Sequence, residues 1–226
     1  MAAIIAIVGA ECTGKSVLTP RLATRIADDT GLRCAAVAEY LREWCAARRR
    51  TPRIDEQADI AAEQQRRIDA AAATHDIVVA DTTALMTAVY SQFIFGDASL
   101  TVDAVAAHRR CDATLLTALD VPWQADGVQR DGPHVREPVD QLLRTLMRDH
   151  DIAWSVVSGQ GATRVNSALD AVTPLLARIA QPGSGLFTRM AQRDAAQPAW
   201  RWVCEKCDVP ECEHRLQQGL VRTSTR

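Results

Sequence analysis

Near the start of the chain, Gly9-Ala10-Glu11-Cys12-Thr13-Gly14-Lys15-Ser16 fits the pattern G-x-x-x-x-G-K-[ST]. Each part of that pattern has a chemical reason. The glycines let the backbone turn until successive N–H groups face one anion. The helix expected from Lys15 onward adds the positive end of its dipole. Lys15 can reach the β- and γ-phosphates of a nucleoside triphosphate, and the Ser16 hydroxyl can ligate Mg²⁺. Val17 completes a nucleotide-binding run over residues 9–17. An apolar run before the loop and a helical pattern after it supply the required setting.

A partner acid should end another strand near that metal. Ile77-Val78-Val79-Ala80-Asp81 supplies one, followed by Thr82 and Thr83. Asp81 can serve magnesium or catalysis, or it can cap the next helix. Glu39 and Tyr40 follow a second apolar run, and ligands in α/β sheets bind beyond the carboxyl ends of strands. Glu39 can orient an acceptor hydroxyl or take its proton, or it can be a solvated carboxylate at a helix start. Arg42 can bind a phosphate or pair with a carboxylate on its own helix. Trp123 stands in a Gly/Pro/Arg-rich loop, residues 122–138, where a planar base can stack on it. Asp126 can hold ribose hydroxyls or make a turn with Gly127. Arg130 and Arg136, in the same loop, can close onto transferring phosphates. Arg48-Arg49-Arg50 with Arg53 reads as a solvated helix end. Arg164 follows Gly159-Gln160-Gly161 and fits either an adenine contact or a plain strand–helix turn.

The elements that position these groups follow from periodicity. Strands are expected over residues 4–8, 34–38, 77–80, 113–119 and 152–157. Helices are expected over 15–29, 40–50, 55–73, 83–95, 99–110, 139–150 and 162–180, with Gly31 as a stop for the first and Ser99 as a cap for the fifth. Alternating strands and helices imply an α/β fold of the P-loop NTPase type, three layers around a mostly parallel five-stranded sheet. The domain is expected to span 1–180. Residues 181–226 read as a linker and a Cys-rich tail. There Cys204, Cys207, Cys212 and His214 form a possible structural Zn²⁺ knuckle; the rival reading is a loose tail whose cysteines happen to cluster.

Composition bounds the partners. The chain has 226 residues, a formal net charge of −2, 47% hydrophobic residues and only 4% aromatics. The core must therefore be aliphatic, and no general electrostatic attraction to nucleic acid is expected. No apolar run is long enough to span a membrane. Seven scattered cysteines without a secretory signal fit a reduced, cytoplasmic protein. The four cysteines before the tail read as small buried hydrophobes, except Cys12, which the loop can bring toward the phosphates.

Four segments in order resemble the nicotinamide riboside kinase domain of the NadR type, a P-loop AAA-like family. They are Gly9 to Ser16, Glu39-Tyr40 with Arg42, Asp81-Thr82-Thr83, and Pro122-Trp123-Gln124-Ala125-Asp126-Gly127. The last is the most specific. The resemblance covers residues 1–180 and not the cysteine tail. It implies ATP and Mg²⁺ at the phosphate loop and a ribosyl acceptor facing it. Glu39, Tyr40, Arg42, Trp123 and Asp126 would hold the acceptor. Lys15, Glu39, Asp81, Arg130 and Arg136 would act on the transferring group. The expected activity is an ATP-dependent small-molecule kinase acting on nicotinamide riboside or a similar nucleoside. The rival reading is a nucleotide-dependent regulatory ATPase or GTPase that uses the tail to engage a partner.

Overall fold

A computed structural model of the chain describes residues 2–124 and 132–180, all within one compact unit. Five strands, β1 (Ala3–Val8), β2 (Cys34–Val37), β3 (Ile77–Asp81), β4 (Ala113–Thr117) and β5 (Ser155–Val157), form one sheet in the order β2-β3-β1-β4-β5. Every pairing is parallel, with Ile5 opposite Val79 on one side of β1 and Ala113 on the other. All six residues of β1 and all five of β3 are buried. Such unbroken apolar strands are what a sheet covered on both faces requires.

The helices are α1 (Lys15–Thr30), α2 (Tyr40–Arg48), α3 (Gln57–Ala72), α4 (Ala84–Phe95), α5 (Thr101–His108), α6 (Arg136–Asp149) and α7 (Gly161–Ile179). Alternation along a strand sends successive side chains to opposite faces. Ile4, Ala6 and Val8 therefore share one face of the sheet, on which Val8 and Leu116 pack with Leu85, Val89, Val139 and Leu143 from α4 and α6. Ile4, Val78 and Ala80 pack with Ile68 of α3. Helices α1 and α7 pack together; α1 also lies along β1, β2 and β3, and α7 along β4 and β5. The expected three-layer α/β fold is the one observed.

Several boundaries differ from the sequence pattern, each for a local reason. Helix α2 stops at Arg48 because Arg49 enters the left-handed region at φ 55° and its N–H bonds to the Cys45 carbonyl. Ser99 does not cap the fifth helix; Asp97 accepts from its backbone N–H and its hydroxyl, and the helix begins at Thr101. Helix α6 starts three residues early, at Arg136, after a 3-10 turn over Pro133–Val135. Pro138 falls in its first turn, where no N–H is needed. Strand β5 is short because residues 150–152 close α6: Asp151 adopts φ 53° and the Ile152 N–H bonds to the Met147 carbonyl.

The arginine run is internally partnered. Arg50 makes two hydrogen bonds to Glu56, at 2.7 and 2.6 Å. The guanidinium carbons of Arg48 and Arg50 lie 4.8 and 4.9 Å from the ring centroid of Trp44. Of the cysteines, Cys45 is buried, Cys12, Cys34 and Cys111 are half-buried, and all four are unpaired thiols. Among the described residues, no helix is long and apolar enough to cross a membrane.

Candidate active site

The loop between β1 and α1 is held by close packing. Gly9 has φ 145°, and a Cβ there would strike the Thr117 hydroxyl at the end of β4. That hydroxyl lies 2.6 Å from the Thr13 hydroxyl and 3.2 Å from the Val8 carbonyl, which accepts from it. The loop is thereby stapled to its neighbouring strand. Cys12 and Gly14 take φ values of 54° and 82°. Gly14 caps α1 without a side-chain hydrogen bond, and the first turn carries no acid. A helix start of this kind suits an anion.

Lys15 is only 6% exposed. Its ammonium donates to the carbonyls of Gly9 and Ala10 at 2.9 and 2.8 Å, inside the loop. Burial lowers its pKa, opposed by the carboxylates of Glu39 and Asp81. Asp81, 2% exposed at the end of β3, is pushed up to about 6, first by burial and then by Glu39. Lys15 and a hydrogen bond from Ser16 pull the other way. One Asp81 oxygen, Oδ1, is buried with no partner. A desolvated carboxylate with an unpartnered oxygen, beside a serine hydroxyl, fits a hard divalent cation such as Mg²⁺. Glu39 and Arg42 form an ion pair at 2.9 Å. Arg42 thus pairs with the carboxylate at the start of its own helix, and the two side chains also line the space beside Ser16 and Asp81.

A cavity of about 200 Å³ opens against the same loop. Glu11, Lys15, Glu39, Arg42 and Thr82 form its polar end, while Leu41, Pro52, Tyr90, Ile94 and Phe95 supply apolar wall. Ile94 is 50% exposed and Phe95 37%, unusual for the end of an apolar helix without a function for that surface. A second cavity, about 230 Å³, adjoins Gly14, Val17, Arg21, Gln160 and Arg164. Arg164 itself is 4% exposed and structural. It donates to the carbonyls of Gly159 and Thr13 and pairs closely with Asp120. The strand–helix turn is thus tied to the phosphate loop.

The loop also engages the segment after β4. Glu11 accepts from the Trp123 indole N–H at 3.4 Å and from the Gly132 backbone N–H at 3.3 Å. The Cys12 sulfur accepts from the Gln124 N–H at 3.1 Å and lies near the Pro122 and Gln124 carbonyls. Cys12 therefore faces this segment. Trp123 is half-buried against Glu11 and does not line the cavity beside Lys15 and Glu39. Arg136 lies in the first turn of α6, with Nε and Nη2 buried and unpartnered. Tyr40 begins α2, under the guanidinium of Arg67 at 4.4 Å from its ring centroid. Asp126 and Arg130 lie outside the described residues, as do Cys204, Cys207, Cys212 and His214. Among the described residues, no cluster of three or more His, Cys, Asp or Glu could hold a metal ion.

Sequence reasoning brought Lys15, Ser16, Glu39, Arg42 and Asp81 to one place. It missed Thr117, Asp120, Gln57, Gln64 and the Ile94-Phe95 pair. The glutamines had a signal. They fall on the buried stripe of α3 with Ile60, Ala61 and Ile68, where polar residues need partners.

No curated protein sequence matches the chain. Among solved structures, a NadR protein in complex with NR superposes with a TM-score of 0.62 at 21% identity, over 76% of this chain and 49% of that one. NadR in complex with NAD and AMP-PNP gives a TM-score of 0.59 at 20% identity, over the same 76% and 49%. Thymidylate kinase from Ehrlichia chaffeensis gives 0.54 at 14% identity, over 77% of this chain and 98% of that one. The chain spans about half the length of the NadR chains, and at these identities the likeness is one of fold. A family model described as an AAA domain matches residues 4–164, a stretch that holds the phosphate loop, Glu39, Asp81 and Arg164. In agreement with the resemblance read from its motifs, the chain belongs to this AAA-domain family.

Proposed function

We propose that the protein transfers the γ-phosphoryl group of ATP to a hydroxyl of a nucleoside-like small molecule, with nicotinamide riboside the first acceptor to try. One observation carries this reading. The buried Lys15 feels the carboxylates of Glu39 and Asp81, and Lys15 and Glu39 line a cavity that also has an apolar wall of Leu41, Pro52, Tyr90, Ile94 and Phe95. Phosphates belong on the loop, and an apolar, planar group with a hydroxyl at one end belongs in the cavity.

Lys15 and the loop amides would hold the β- and γ-phosphates. Ser16 and Asp81 would hold Mg²⁺, which supplies positive charge against the charge developing on the phosphoryl oxygens. Glu39 would orient the acceptor hydroxyl through its free lone pairs while Arg42 fixes the carboxylate. Transfer through a loose transition state asks for alignment more than for a strong base. Arg136 carries two unpartnered buried nitrogens, which a phosphoryl oxygen would satisfy; its competitor is the unpartnered Oδ1 of Asp140, one turn along α6. A role for Arg130 rests on its place in the loop over residues 122–138; roles for Asp126, Tyr40 and Trp123 at the acceptor rest on the motif resemblance. The second cavity, beside Gly14 and Val17, suits the adenine. The kinase-like domain is assigned to residues 1–180. The four tail ligands, Cys204, Cys207, Cys212 and His214, are proposed as a structural Zn²⁺ site, which metal analysis of the purified full chain would test.

The experiment is ATP consumption against a panel of nucleosides, scored by product mass. A nicotinamide riboside product heavier by one phosphoryl group establishes the reading. Product on another nucleoside keeps the chemistry and changes the acceptor. Slow hydrolysis with no phosphorylated acceptor moves the assignment to a regulatory ATPase or GTPase module.

A further inference from the structure

The two acidic segments of the site have no covalent neighbour in common. Glu39 stands just before α2, and Asp81 ends β3. A single buried side chain, Gln64 of α3, bridges them. It is 3% exposed. Its amide oxygen accepts from the Tyr40 backbone N–H at 2.7 Å, and its amide nitrogen donates to the carbonyls of Asp81 and Thr82 at 3.4 and 3.5 Å. The Tyr40 N–H fixes which end of the amide is oxygen, since only the oxygen can accept.

The backbone at Thr82 makes this bridge specific. Thr82 is β-branched yet has φ 67°, a conformation that costs such a residue stability. Its N–H still bonds to the Ile7 carbonyl, so the strand ladder is kept up to the corner. Beyond it the chain turns sharply, its carbonyls meet Gln64, and Thr82 lines the acceptor-side cavity with Lys15 and Glu39. From the far side the next residue is held as well: the Thr83 hydroxyl lies 2.8 Å from His108 Nδ1, whose Nε2 lies 2.9 Å from the Thr114 hydroxyl.

We propose that Gln64 is a positioning residue that sets the spacing between the Glu39 segment and the Asp81-Thr82 corner. Acceptor alignment depends on it, and phosphate binding does not. This rests on the kinase reading above. The phosphate loop has its own staples, Thr13 and Thr117, and among the described residues no hydrogen bond joins it to Gln64. A Gln64 variant should therefore divide the two half-sites.

The test uses the full chain and the acceptor found by the nucleoside panel. Gln64→Met keeps length and apolar volume and removes all three hydrogen bonds. Its kcat/KM for the acceptor should fall tenfold or more, while the dissociation constant of ATP stays within twofold. Gln64→Glu restores the effect in part, because burial favours the protonated carboxyl, which again offers one acceptor and one donor. Acceptor kcat/KM within threefold of wild type in Gln64→Met overturns the proposal. So does a parallel loss of ATP binding, or a Gln64→Glu variant no better than Gln64→Met. Absence of turnover in the wild type on every nucleoside overturns the kinase reading and this proposal with it, and is read on a different protein.

Discussion

Beside Gly9 to Val17, contiguous residues supply the loop, the lysine and the helix start, and backbone groups and hydroxyls pack them tightly. The adjoining cavity is assembled otherwise. Its walls come from α2, from the turn before α3, from the end of β3 and from α4, and its surface is made of side chains. The first half leaves no room for a side chain at Gly9, where a Cβ would strike Thr117. The second half can change its lining one residue at a time. Such a division lets one part of a site vary while the other is kept.

The largest separation of the two halves should come from Lys15→Ala. Phosphoryl transfer should fall about a thousandfold or more, as expected when charge stabilisation of the transferring group is lost. The thermal melt should remain cooperative, and normal turnover would break the assignment. Next is an effect on stability. Burial pushes His108 down to about 4, so the folded chain refuses a proton that the unfolded chain accepts near 6.5. The contribution is complete above that pH and is lost as pH falls from 6.5 toward 4, by about 3 kcal/mol. Denaturant titrations of wild type and His108→Gln across that window should converge at low pH. Parallel curves would refute the assignment to His108.

Glu39→Gln should lower kcat about a hundredfold with little change in ATP affinity, if positioning of the acceptor hydroxyl is its task. Equal loss of both would place Glu39 on the phosphate side. The smallest effect is expected from Phe95→Ala, at the open rim of the cavity. The acceptor KM should rise several-fold with kcat nearly unchanged, the pattern of uniform binding lost. A fall in kcat without a rise in KM would show that α4 shapes the reacting geometry.

The sheet and the phosphate loop were legible because their signals are local. Unbroken apolar runs mark buried parallel strands, and a short contiguous pattern marks the loop. Asp81 was legible for the same reason, at the end of such a run. The cavity wall was not, because Leu41, Pro52, Tyr90 and Phe95 come together only when α2, α3 and α4 pack. Gln64 shows the limit well. Its helical position shows that it is buried, but only the packed fold shows that its partners are the Tyr40 N–H and the corner at Thr82. The early start of α6 was hidden by Pro138, which reads as a helix breaker and is harmless in a first turn.

The aliphatic core gives the protein an uneven optical response. Of five tryptophans, Trp200 and Trp202 lie outside the described residues. Trp44, on the helix that carries Cys45 to the cavity wall, lies against the guanidinium groups of Arg48 and Arg50, and the Trp123 indole donates to Glu11. Trp154 alone of these packs against the main cluster, and it does so from the edge. Emission from Trp44 and Trp123 will thus report on the surroundings of the site, whereas far-ultraviolet dichroism reports on the seven helices described. Melting curves by the two methods that fail to coincide would separate loosening at the site from loss of the fold.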